Sequence, residues 1–125
     1  MIAIIDDDVS VRTATSRLVR SLGYHPHTFA SADDFLRSQH VSDAWCVLAD
    51  VQMPGMTGIE LQNLLRAQGR TIPMIFITAF FEESIKTRAL EAGAVAFLSK
   101  PFDGKALVDC IDTALGQSGR QPSGS

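Results

Sequence analysis

Four apolar runs of this 125-residue sequence end in polar side chains that can bind metals or phosphoryl groups. An acidic triplet, residues 6–8, follows the first of these runs, and Asp50 ends the next; Thr78 and Lys100 end the last two. If the runs are parallel strands, their carboxyl ends lie at one edge of the sheet, where ligands bind in such folds. We therefore expect several carboxylates, one hydroxyl and one amine to share a single crevice.

This set of side chains suits phosphoryl transfer. Clustered carboxylates repel one another unless a cation neutralises them, and hard oxygen ligands favour Mg²⁺. The Lys100 ammonium can pair with a carboxylate or a phosphoryl oxygen, and the Thr78 hydroxyl can donate a hydrogen bond to one. A carboxylate would then be the nucleophile. Solvated loops also place polar residues at strand ends, but that explanation fits each position singly better than all four together.

The elements that must position these residues alternate between two periodicities. Nearly continuous apolar runs predict strands buried on both faces at residues 2–5, 46–49, 74–78 and 94–98. A weaker run at 27–30 predicts a further strand, and Pro26 beside it favours a place at the sheet edge, because proline cannot donate to the ladder.

Helical spacing separates these runs. Val11, Ala14, Leu18 and Leu22 predict a first helix that ends at Gly23. Capping patterns predict that the second helix starts at Ser31 and the third at Thr57. The fourth is expected at 82–91, and the fifth at about 103–115, with Gly116 as its end. Five strand–helix units in this order predict an α/β fold, a doubly wound parallel sheet with helices on both faces.

Composition sets the class of protein. The chain is 46% apolar, which is enough for one domain with a real core, expected at residues 1–116; residues 117–125 are polar and read as a linker or frayed tail. The net charge of −3 argues against direct nucleic-acid binding. No apolar run approaches the ~20 residues of a membrane helix, and no signal peptide is evident, so we expect a soluble, cytoplasmic protein without membrane contact. Cys46 and Cys110 are expected to be free thiols in a reducing compartment.

The motifs IIDDD, VLADVQMPGMTG, IFITA and FLSKPF, in this order, resemble the receiver domains of two-component response regulators. The resemblance covers about residues 2–115 and is greatest to FixJ-like receivers, which precede LuxR-type helix-turn-helix domains. It implies a flavodoxin-like (βα)5 fold with strand order 2-1-3-4-5.

By position, the resemblance implies that Asp50 is the phosphoacceptor. Asp7 and Asp50 would bind Mg²⁺ directly, together with the backbone carbonyl of Gln52, and Asp6 would assist through water. Asp8 matches the family's acidic third position but is given no ligand role. Trp45, just before the third strand, is expected to report Mg²⁺ binding through its fluorescence.

The resemblance also implies a switch. Thr78 and Lys100 would bind the phosphoryl group, and Phe97 would turn inward when Thr78 moves. The Lys100–Pro101 peptide bond is expected to be cis. Expected partners are a sensor histidine kinase, a second copy of the chain after phosphorylation, through the fourth helix, fifth strand and fifth helix, and a DNA-binding domain beyond residue 125. The domain would turn over no external substrate.

One departure from the family pattern stays open. Phe80 and Phe81 stand where the family more often has small or polar residues. Either one ring packs under the loop while the other is exposed, or the pair forms a hydrophobic contact for a partner or a shield over the phosphoryl site. His25 and His27 have a spacing that could hold a metal, but no third ligand is evident.

Two alternative functions stay open. A haloacid-dehalogenase-type phosphatase would use Asp6 and Asp8, with Thr78 and Lys100 in later positions, although it leaves the motif around Asp50 unexplained. A receiver that no longer takes phosphate is the other alternative.

Overall fold

The computed structural model describes residues 1–39, 41–53, 55–100 and 102–118. Five parallel strands form one sheet in the order β2-β1-β3-β4-β5, which confirms the predicted α/β fold and strand order. The strands are β1 Ile2–Ile5, β2 Pro26–Phe29, β3 Cys46–Asp50, β4 Met74–Thr78 and β5 Ala96–Ser99. The helices are α1 Val9–Ser21, α2 Ala32–Arg37, α3 Gly58–Ala67, α4 Glu83–Glu91 and α5 Gly104–Ser118, with a 3-10 turn at Val41–Asp43.

Successive side chains of each strand point to opposite faces of the sheet. Helices pack against both faces, so both are buried. On one face, Ala3, Val47 and Phe76 belong to a core cluster that includes residues of α2, α3 and α4. On the other face, Ile4 and Leu48 belong to a second cluster with residues of α1 and α5. Leu107, Ile111 and Ala114 face inward from α5 as predicted. The three inner strands β1, β3 and β4 are thus held rigidly, and their carboxyl ends share one edge.

Side-chain caps begin the helices that flank this edge. Ser31 accepts a hydrogen bond from the Asp34 N–H at the start of α2. Thr57 and Glu60 form a capping box at the start of α3, so both predicted starts are confirmed. Pro26 is the first residue of β2, which lies at the sheet edge as predicted.

Some predicted positions differ from the structure. The second strand is Pro26–Phe29 rather than 27–30. Ala14 is exposed, because the buried side of α1 is centred on Thr15 and Val19. The fifth strand is Ala96–Ser99 rather than 94–98. Helix α5 continues past Gly116 to Ser118, since a glycine costs a helix only about 1 kcal/mol and does not by itself end it.

Some expectations fall on residues outside the described ranges. These are the cis bond at Lys100–Pro101 and most of the tail, residues 119–125. The domain boundary after residue 116 therefore stays a prediction. Among the described helices, none is both long and apolar enough to cross a lipid bilayer.

Candidate functional site

Three aspartates meet at the carboxyl edge of the sheet. Asp6 and Asp7 follow β1, and Asp50 is the last residue of β3, the neighbouring strand. One carboxylate oxygen from each lies within 4.8 Å of the others. Asp6 is 3% and Asp50 is 7% exposed, whereas Asp7 faces solvent. Sequence reasoning identified all three, because parallel pairing of β1 with β3 brings these strand ends together.

Lys100 joins the two buried carboxylates. Its Nζ atom lies 3.0 Å from Asp6 Oδ2 and 3.0 Å from Asp50 Oδ2. Lys100 follows β5 directly, so the ammonium reaches across the end of β4 to the centre of the sheet. One cation therefore neutralises two buried anions only in part, and the site keeps a net negative charge.

Burial raises the pKa of the Asp50 carboxyl, and the charge of Asp6 raises it further. The hydrogen bonds from Lys100 and from the Gln52 N–H lower this pKa, but they do not cancel the effect of burial. Burial acts to lower the pKa of Lys100, but its hydrogen bonds to Asp50 and Asp6 outweigh it, so that pKa is raised. A raised pKa favours the charged form of Lys100 but disfavours the charged form of Asp50, so the two shifts point in opposite directions for the ion pair. The reason is that Lys100 has two anionic partners, whereas Asp50 shares its one cationic partner with Asp6. The ammonium is firmly charged, and Asp50 remains under-neutralised.

Backbone groups orient the same two carboxylates. The Gln52 N–H donates to Asp50 Oδ1 at 2.9 Å, and the Asp8 N–H donates to Asp6 Oδ1, also at 2.9 Å. Arg12 Nη1 donates to the backbone oxygen of Asp6 at 2.6 Å. Each carboxylate thus has one oxygen on a backbone N–H and one on Lys100. The contact of Arg12 had no signal in the sequence, because it depends on how far a long side chain reaches back from α1.

Asp8 does not join the cluster. Its carboxylate caps α1, accepting from the N–H groups of Ser10 at 2.8 Å and Val11 at 3.3 Å. A side-chain cap of this kind stabilises a helix start by about 1 kcal/mol. The phosphatase alternative needs Asp8 in the site, so this arrangement argues against it.

Gly58 lets α3 start directly beside Asp50. A Cβ atom at this position would lie 2.8 Å from the Asp50 backbone oxygen and 2.9 Å from Cε1 of the buried Phe76. Gly55, in the same loop, has a φ of +79°, which favours glycine. At Gly58 a side chain would not fit, and at Gly55 it would strain the backbone.

The Thr78 hydroxyl is bonded to the loop that follows β4. It accepts from the Phe80 N–H at 3.1 Å and lies 3.2 Å from the Phe80 backbone oxygen, to which it can donate. Thr78 itself is 1% exposed. The backbone N–H of Lys100 donates to the Thr78 backbone oxygen at 2.7 Å, which ties the ends of β4 and β5 together. Thr78 is therefore beside the site but turned to the loop that follows it.

Phe97 is half-buried on β5, where it pairs with Phe76 of β4. Its ring centroid lies 6.4 Å from that of Phe76 and 5.9 Å from that of Phe81, the latter in an edge-to-face arrangement. Phe80 is 69% and Phe81 is 46% exposed. One of the two unusual aromatics thus packs on Phe97, while the other lies mainly in solvent.

The donor set of the cluster fits a hard divalent cation. Asp6, Asp7 and Asp50 offer only oxygen ligands, which Mg²⁺ prefers over the nitrogen and sulfur atoms that Zn²⁺ takes. His25 and His27 have ring centroids 5.3 Å apart, but no third ligand joins them among the described residues. The carboxyl edge of the sheet is therefore the better candidate for a metal.

Comparison with known families matches residues 2–112 to the response regulator receiver domain. Response regulator protein TodT of Pseudomonas putida is 40% identical over 98% of this chain and 54% of its own length. Transcriptional regulatory protein FixJ of Azorhizobium caulinodans is 36% identical over 94% of this chain and 56% of its own. The crystal structure of FixJ-N superposes with a TM-score of 0.82 at 29% identity, covering 98% of this chain and 95% of that one.

The chain thus spans about half the length of the curated relatives it matches. These relatives are regulators rather than enzymes, in agreement with the sequence prediction. The match to FixJ confirms the prediction from the motifs that the chain is similar to FixJ-like receivers.

Proposed function

The chain belongs to the response regulator receiver domain family, and on that premise we propose that Asp50 accepts a phosphoryl group from a sensor histidine kinase. The observation that carries the proposal is the position of Asp50. It ends the central strand β3, with one oxygen held by the Gln52 N–H and the other by Lys100. A nucleophile held in this way needs little reorientation before attack.

The side chains around Asp50 suit such a transfer. One Asp50 oxygen would attack the phosphorus atom while the bond to the kinase histidine breaks, which leaves an acyl phosphate on Asp50. Lys100, already charged, would turn from the carboxylates to a phosphoryl oxygen.

Magnesium is the proposed cofactor. Asp7, Asp50 and the backbone carbonyl of Gln52 would hold it, and Asp6, the third member of the aspartate cluster, would contact it through water. When bound, the ion would offset the charge of the carboxylates and of the incoming phosphoryl oxygens.

The proposed output is a change in association. A phosphoryl group on Asp50 adds negative charge and three acceptor oxygens. Thr78 would leave Phe80 to donate to one of them, and Phe97 would move inward behind it. The surface formed by α4, β5 and α5 would then pair with a second copy of the chain.

The names of the relatives support a transcriptional output as part of the proposal. FixJ is named a transcriptional regulatory protein, and this chain spans about half of its length. We therefore include in the proposal a DNA-binding domain beyond residue 125. A cytoplasmic location is also part of it, since Cys46 and Cys110 are both free thiols, as a reducing compartment would keep them.

Radiolabelled acetyl phosphate tests the acceptor. The wild type should incorporate label at Asp50 in the presence of Mg²⁺, and Asp50→Asn should incorporate none. Peptide mapping should locate the acyl phosphate in the segment around residue 50. Label at Asp6 would instead support the phosphatase alternative, and a folded wild type that takes no label from acetyl phosphate or from a histidine kinase would support the receiver that has lost phosphorylation.

A further inference from the structure

Phe81 is packed against the aromatic residue that the proposed switch moves. Its ring meets that of Phe97 edge-to-face, with the centroids 5.9 Å apart. Lys86 of α4 lies over the Phe81 ring, with its Nζ atom 5.8 Å from the ring centroid. Phe81 is thus held between β5 and α4 although it is 46% exposed.

Phe81 is also linked to Thr78 through one residue. The Thr78 hydroxyl bonds to both backbone groups of Phe80, so this contact fixes the loop that carries the Phe81 ring. When the hydroxyl turns toward Asp50, these bonds must break, and the loop is released. The ring contact between Phe81 and Phe97 therefore belongs to the arrangement in which Thr78 faces the loop.

We propose that Phe81 is a positioning residue that holds Phe97 in this arrangement and so opposes the change that phosphorylation causes. The inference rests on the proposed function, since it concerns the same switch. Edge-to-face aromatic pairs are strong enough to shift a two-state equilibrium about two- to tenfold. The contact of Phe81 with Phe97 would therefore set how readily this receiver is activated.

Phe80 provides a matched control next to it in the chain. Its backbone bonds to Thr78, but its side chain is 69% exposed and makes no ring contact among the described residues. Phe80→Ala keeps the backbone bonds and removes a side chain of the same type and size, one that is more exposed than that of Phe81. Any effect that requires contact between the Phe81 and Phe97 rings should therefore appear in Phe81→Ala and not in Phe80→Ala.

The test is titration with beryllofluoride, an analogue of the phosphoryl group, in excess Mg²⁺. The activated fraction would be followed by NMR of the Thr78 amide in the isolated chain. We expect Phe81→Ala to bind about two- to tenfold more tightly than the wild type. Phe80→Ala and Phe81→Tyr should match the wild type. The first leaves the contact between Phe81 and Phe97 intact, and the second keeps an aromatic ring at residue 81.

A double mutant separates this role from a merely structural one. In a Phe97→Ala background, Phe81→Ala should produce no further change in affinity, because the partner ring is already absent. Unchanged or weaker binding by Phe81→Ala would overturn the inference, as would an equal gain in Phe80→Ala or in the Phe97→Ala background. A wild type that binds no beryllofluoride would overturn the proposed function together with this inference, so the two failures are distinguishable.

Discussion

Lys100 and Asp50 are 50 residues apart in the sequence, and a 3.0 Å ion pair joins their side chains. The same ammonium also binds Asp6 at 3.0 Å. One cation therefore stands between two buried carboxylates at the point where a phosphoryl group would arrive. This arrangement leaves excess negative charge in the site.

Asp50→Asn should stabilise the protein at neutral pH in the absence of metal. Burial raises the pKa of Asp50 above its unfolded value, so its ionised form is disfavoured in the folded state. The resulting destabilisation is fully present above the folded pKa and disappears as the pH falls below the unfolded pKa. Urea unfolding at several pH values should show an Asn variant that is more stable near pH 7, with the difference shrinking on acidification. A difference that grows toward low pH would contradict the assignment.

Mg²⁺ binding should depend on Asp7 and not on Asp8. Asp7 is exposed and lies in the aspartate cluster, whereas Asp8 caps α1. We expect Asp7→Asn to weaken Mg²⁺ binding at least tenfold and to slow labelling by acetyl phosphate. Asp8→Ser is the control, because serine caps a helix as well as aspartate does. Equal loss of Mg²⁺ binding in the two variants would contradict the proposed ligand set.

Calorimetry is the suitable assay for this titration. Trp45, which the sequence suggested as a fluorescent reporter, lies immediately before β3, while Asp50 is the last residue of that strand. The five residue steps from Trp45 to Asp50 span about 16 Å along the strand. Trp45 thus lies at the start of the strand that Asp50 ends. That its fluorescence reports Mg²⁺ binding stays a prediction, which the calorimetric titration would check.

Gly58→Ala should destabilise the protein and disturb Asp50. The added Cβ atom would meet the Asp50 backbone oxygen at 2.8 Å and a buried ring carbon of Phe76 at 2.9 Å. Relieving such overpacking costs about 1–3 kcal/mol. Gly116→Ala is the control: nothing lies within 4 Å of its added Cβ in α5, so it should leave stability unchanged or raise it by up to about 1 kcal/mol. Thermal unfolding and acetyl phosphate labelling of both variants would check this pair.

Phosphorylation should convert a monomer into a dimer. Thr78 must break its bonds to Phe80 to reach a phosphoryl oxygen, and Phe97 can then move toward the space that it leaves. We expect sedimentation of the beryllofluoride-treated chain to show the dimer. Phe97→Ala should take up beryllofluoride but remain monomeric. A wild type that stays monomeric at high concentration when fully bound would exclude this mechanism for the isolated chain.

The sequence alone determined the order of elements and the residues at the carboxyl edge. Apolar runs of four or five residues followed by helical spacing are short-range patterns, so β1, β3 and β4 were predicted almost to the residue. Once the strands are parallel, the positions of Asp6, Asp50 and Lys100 at one edge follow from the topology. Their proximity needed no knowledge of individual side-chain conformations.

Only the tertiary structure decided how the side chains at that edge are engaged. Asp7 and Asp8 are neighbours of the same type, yet one joins the cluster and the other caps α1, because the chain turns into the helix between them. Phe80 and Phe81 likewise divide into a solvent-facing ring and a ring packed on Phe97. These choices depend on side-chain rotamers and on contacts between residues distant in the chain, such as Phe81 and Phe97 or Lys100 and Asp6. A local sequence pattern carries no information about such contacts, since their energies arise only when the sheet and helices have come together.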